Sequence, residues 1–145
     1  MKMIEGMLAE STGALVRAWR RRLDGQTAVR HALSEPVDDA MLAVLLDEYV
    51  QALCHRGFAG GVPALAEQTP AISVFSDPRD DAALWIEILS AGRAVLESYL
   101  MDSVAPGLGL SDSEREDLLD ELERAFHMVA HRRLQVLCDC CLTTR

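Results

Sequence analysis

The sequence predicts an all-α protein, a bundle of four principal helices with short extra helical pieces, and three observations predict it. Ala, Leu, Glu and Arg dominate, while runs of Val, Ile and Thr alternating with polar residues are nearly absent, so helix-favouring residues far outweigh strand-favouring ones. Apolar side chains recur at three- and four-residue spacing through four long stretches. Gly25, Gly57, Gly60, Gly61, Pro106, Gly107 and Gly109 punctuate the gaps between them. With 145 residues, half of them hydrophobic, the chain is expected to form one domain over 1–145 and to bury a core without disulfide or metal staples.

The first helix is expected over 3–24, where Ile4, Leu8, Leu15, Trp19 and Leu23 share a face and Gly25 stops it. Arg20, Arg21 and Arg22 fall in its last turn, where the helix dipole favours cations. A helical fragment around Val29 to Leu33 leads to Ser34-Glu35-Pro36, a capped start with proline just inside. The second helix, over 36–56, carries Met41, Leu42, Leu45, Leu46, Tyr49, Val50 and Leu53. From Gly57 to Ser76 the chain is irregular, with a short helical piece expected at Ala64 to Gln68. Ser76-Asp77-Pro78 opens a third helix, expected to run to about Ser103 and to end before Pro106, with Gly92 permitting close approach of another backbone.

The fourth helix, Ser111 to about Leu142, is the one around which the chain is organised. Ser111 and Glu114 form a capping box, and no glycine or proline follows. Leu118, Leu122, Ala125, Phe126, Val129 and Val136 make one apolar stripe. A second stripe, Leu119, Ala130, Leu134, Leu137 and Cys141, widens the apolar sector to roughly half the circumference, more than packing on one core requires. Ala130, Leu134, Leu137 and Cys141 are therefore the candidate surface for a second subunit.

A formal net charge of -9 repels phosphate backbones and makes nucleic acid an unexpected partner. The short basic clusters Arg20 to Arg22 and Arg132-Arg133 read as solvated helix faces. No apolar run approaches the roughly 20 residues that span a bilayer, and the N-terminal stretch, with Glu5 and Glu10, lacks the pattern of a signal peptide, so the expectation is a cytoplasmic protein without membrane association. Three of the four cysteines crowd at 138, 140 and 141, and reduced thiols are expected.

His127 and His131, spaced i,i+4 with Glu123 one turn before, are the sharpest local feature, since that spacing places two imidazoles on one helix face as helical zinc sites require. The intervening Met-Val-Ala lacks the glutamate of a metalloprotease motif. Cys138 lies about 10 Å along the helix from His131, too far for one ion. Cys138 and Cys141 form a CxxC to which Cys54 is the candidate third thiol, for zinc or a redox pair. Surface or interface positions are the plainer reading of the two histidines, and small apolar side chains at a helix or dimer interface that of the cysteines. Asp38-Asp39, Asp80-Asp81 and Glu116-Asp117 sit in or near first helical turns, where carboxylates are favoured by the dipole. No phosphate loop, nucleophile elbow or triad pattern is present, so no catalytic residue is assigned and an enzyme is not expected.

The stretches ALVRAWRRRL, EYVQAL and ILSAGRAVLESYL, with the long last helix, give the chain a pattern that resembles the N-terminal sensor domains of stressosome co-antagonist proteins of the RsbR type. That resemblance spans nearly the whole chain. It implies a globin-like helical domain without haem, no catalytic residues, and a homodimer whose terminal helices carry a signal to a following signalling domain or a partner regulatory protein. It implies a role in bacterial signal transduction and stress response. The alternative is a haem- or zinc-binding sensor, for which His55, His127 and His131 are the candidate axial ligands.

Overall fold

The computed structural model describes residues 2–25, 39–55 and 78–143, with the side chains of 55, 78–83 and 135–143 outside that description. The elements are α1 (Lys2–Glu10), α2 (Thr12–Asp24), α3 (Asp39–His55), α4 (Pro78–Tyr99), a π-helical turn (Leu100–Val104), α5 (Ala105–Leu108) and α6 (Asp112–Thr143). Among the described residues there is no strand, so the all-α class holds. The helical pieces expected at 29–33 and 64–68, the irregular stretch 57–76 and the start of the second helix at 36–38 lie outside the described residues.

The stretch read as one first helix is two. Ser11, with φ -101° and ψ 7°, leaves helical geometry. The reason is competition for the backbone, because Thr12 Oγ1 donates to the carbonyls of Leu8 (3.3 Å) and Ala9 (3.0 Å). The elbow is then pinned from across the fold. Tyr99 Oη donates to the Met7 carbonyl at 3.0 Å, which leaves Ser11 Oγ to donate to Tyr99 at 2.7 Å.

The end of the third helix also differs from the expected stop before Pro106. A proline ring within a regular helix clashes with the carbonyl four residues back, here that of Asp102, and offers it no N–H. The backbone instead widens over Leu100–Val104, the Ala105 N–H reaching the Leu100 carbonyl, and helical structure continues through Pro106 into α5. It stops at Gly109, whose φ of 63° only a residue free of a Cβ adopts readily.

The core is continuous through α1, α2, α3, α4, the π turn and α6. α6 packs against both α4 and α3, and α2 closes over the same two helices. At the centre, Trp19 of α2 donates to the Ile88 carbonyl at 2.9 Å and Tyr49 of α3 to the Leu89 carbonyl at 2.5 Å. The two rings meet edge to face with centroids 6.0 Å apart. The capping box forms as read from the sequence: the Ser111 N–H donates to Glu114 Oε1 and the Glu114 N–H to Ser111 Oγ, both at 3.2 Å. The first stripe of α6, from Leu118 to Val129, is buried in that core.

Candidate functional site

Glu48 of α3 and Arg133 of α6 are each 2 % exposed, the most deeply buried charged residues among those described. Arg133 Nε donates to Glu48 Oε2 at 3.1 Å, and Arg133 Nη2 donates to the same oxygen. The guanidinium carbon stands 5.3 Å from the ring centroid of Trp85 on α4, within range of a cation–π contact. Arg132, one residue before, is 9 % exposed. Three helices thus meet at one polar point within an apolar interior.

The position follows from two interrupted stripes. On α3, Glu48 occupies the apolar progression Met41, Leu45, Glu48, Ala52, a spacing of four, three and four. On α6, Arg133 lies one turn beyond Val129 in the stripe that Leu122, Ala125 and Phe126 begin. The expectation that Arg132 and Arg133 form a solvated face is therefore overturned; they follow the buried stripe into the core. Glu48 was missed by the sequence reading. The signal was there, a carboxylate in the core register of α3 and two cations in the core register of α6.

Arg133 Nε and Nη2 both donate to Oε2, and Glu48 Oε1 is buried without a hydrogen-bond partner. Burial raises the Glu48 pKa above its ordinary 4.5, by more than the neighbouring cations Arg133 and Arg132 lower it, and Asp47 adds to the rise. Burial lowers the Arg132 pKa, Arg133 adds to that, and Glu48 opposes it. A raised folded-state pKa means that the proton on Glu48 favours folding. Its contribution is complete below the ordinary carboxylate value and is lost as pH rises through the folded-state value. Wild-type stability relative to Glu48→Gln is accordingly expected to fall as pH is raised from 4.5 towards neutrality. Urea denaturation of both proteins across that range checks this, and parallel pH profiles would contradict it.

The residues singled out for metal binding are placed differently. His127 is on the solvent side, its side chain 70 % exposed, with Nε2 3.2 Å from Glu123 Oε1. The other oxygen of Glu123 accepts from Arg93 of α4 at 2.5 Å, so that carboxylate is already bridging two helices. His131 is exposed one turn further on. Cys54 is half-buried and free, and burial raises its thiol pKa, which disfavours the thiolate a metal or redox role uses. Cys138 and Cys141 lie outside the described side chains. Among the described residues no group of three His, Cys, Asp or Glu converges on a metal position. Of the expected subunit surface, Ala130 is buried in the chain's own core and Leu134 is half-buried, while Leu137 and Cys141 lie outside the described side chains.

The fold and this contact define an all-helical protein with a buried ionic pair between α3 and α6. No protein-family model matches the chain, and neither the curated proteins nor the solved structures offer a match. No helix of the described residues is long and apolar enough to cross a membrane.

Proposed function

We propose that the chain is a cytoplasmic, homodimeric sensor or regulatory domain of a bacterial signalling protein, globin-like in the arrangement of its principal helices, in which α6 carries the signal and no reaction is catalysed. The observation that supports this is the ionic contact on α6. A buried ion pair adds little net stability compared with apolar packing, and its best-attested use is to specify register. Placed where α6 crosses α3 and α4, it gives the helix one preferred position and makes displacement a discrete event rather than a gradual slide.

The 32-residue length of α6 supports the same reading, since a helix of that length spans roughly 48 Å, more than a typical small domain is wide. Leu134, followed in sequence by Leu137 and Cys141, supplies the apolar positions through which a second copy would pack. Sedimentation equilibrium on tag-free protein tests the dimer. The expected mass is about twice the 15.9 kDa of one chain. A single-chain mass persisting at high micromolar concentration contradicts it.

A further inference from the structure

A shallow groove of about 240 Å³ runs between α1 and the start of α6, lined by Ile4, Leu110, Glu114, Asp117, Leu118 and Glu121. Its floor is apolar and its rim is acidic. Glu114, Asp117 and Glu121 follow one another at three- and four-residue spacing along α6, so the first and last carboxylates are separated by roughly 10 Å along the axis. Glu121 is paired with Arg124, whereas neither Glu114 nor Asp117 has a cationic partner among the described residues. Capping accounts for Glu114, but the expectation that the dipole also accounts for Asp117 does not hold: α6 starts at Asp112, so Asp117 and Glu121 lie beyond its first turn, where the dipole no longer rewards negative charge.

We infer that this groove docks a cationic amphipathic helix of a partner protein. The groove is smaller than the roughly 300–1,000 Å³ of small-molecule sites and open to solvent, dimensions that suit one or two aliphatic side chains of a docked helix. Arginines or lysines flanking those side chains, about two turns apart, match the carboxylate spacing on α6. An anionic lipid surface or a nucleic acid would meet the rim with like charge. The inference is independent of the dimer and of the Glu48–Arg133 contact.

The test uses a capped synthetic helical peptide with leucines on one face flanked by arginines, and a control that keeps the arginines and replaces the leucines with glutamine. Heteronuclear NMR titration of the full chain is expected to move the resonances of Ile4, Leu110 and Leu118. Affinity is expected to fall by about tenfold or more for the control peptide, and similarly for the Asp117→Lys and Asp117→Asn proteins with the original peptide. Glu97→Lys, an exposed charge change on α4, is expected to leave affinity within about twofold after the small change in net charge. Equal binding of the leucine-free peptide, equal loss in Glu97→Lys, or no saturable shifts overturns the inference. So does a groove whose resonances shift with protein concentration alone, which would assign it to a second copy.

Discussion

Glu48→Leu and Arg133→Met, made singly, are each expected to destabilise the protein by about 3–5 kcal/mol, whereas the double substitution is expected to be neutral or more stable than wild type. Each single change removes the Glu48–Arg133 contact and leaves the remaining polar side chain 2 % exposed, where solvent does not replace what was lost. Removing both charges removes both desolvation costs, and the site is already surrounded by the apolar side chains of three helices. The Trp85 ring offsets part of the loss for Arg133 alone, because the cation–π contact survives in Glu48→Leu. Chemical denaturation of the four proteins gives the cycle. Additive losses in the double variant would mean that the two side chains act separately, and the account of α6 register would fail with them.

Gly92→Ala is the second large effect, a loss of about 3 kcal/mol. A Cβ at that position would lie 2.7 Å from Trp19 Cε2 and Cη2, and closer still to Cζ2. The ring has nowhere to go. Its indole N–H is held by the Ile88 carbonyl, its edge meets Tyr49, and it is almost completely buried. Admitting a methyl group therefore forces α2 away from α4. Trp19→Phe, which removes the part of the ring in the way, is expected to reduce the cost of Gly92→Ala to about 1 kcal/mol, a coupling that denaturation midpoints reveal. Equal costs in both backgrounds would show that Gly92 is required for some other reason.

The fold was legible where apolar spacing is long and regular. Leu118, Leu122, Ala125, Phe126 and Val129 are buried as their spacing demands, and the Ser111–Glu114 box starts α6 where that pair predicts. A close approach at Gly92 was readable, but not its nature: the sequence suggested another backbone, and what fills the space is the Trp19 side chain, some seventy residues away in sequence. The two helix boundaries that differ turn on local chemistry that periodicity ignores. Thr12 bonding back to Leu8 and Ala9 breaks the first helix, and a π turn accommodates Pro106 where a stop was expected.

The site was less legible for a related reason. A charge within an apolar stripe carries the same letter as a charge on a solvated face, and only the facing helix decides which it is. Arg133 is buried because Glu48 stands opposite it, a pairing 85 residues apart that no local pattern announces. The histidines are the reverse case, where the plainer reading of surface positions agrees with the structure. His127 and His131 have the spacing of ligands, yet that spacing also places two residues together on a surface, which is where the structure puts them.

Hydrogen exchange, resolved helix by helix in wild type and the Glu48→Leu/Arg133→Met double variant, which lacks the ionic contact without an expected loss of global stability, tests most directly whether that contact sets the position of α6. The account predicts that amides of α6 around Phe126 to Leu134 exchange about tenfold faster or more in the variant, while those of α2 and the Ile88–Gly92 stretch of α4 keep their protection. A uniform rise across all helices would reduce the contact to one more contribution to global stability. Unchanged exchange in α6 would contradict the account outright.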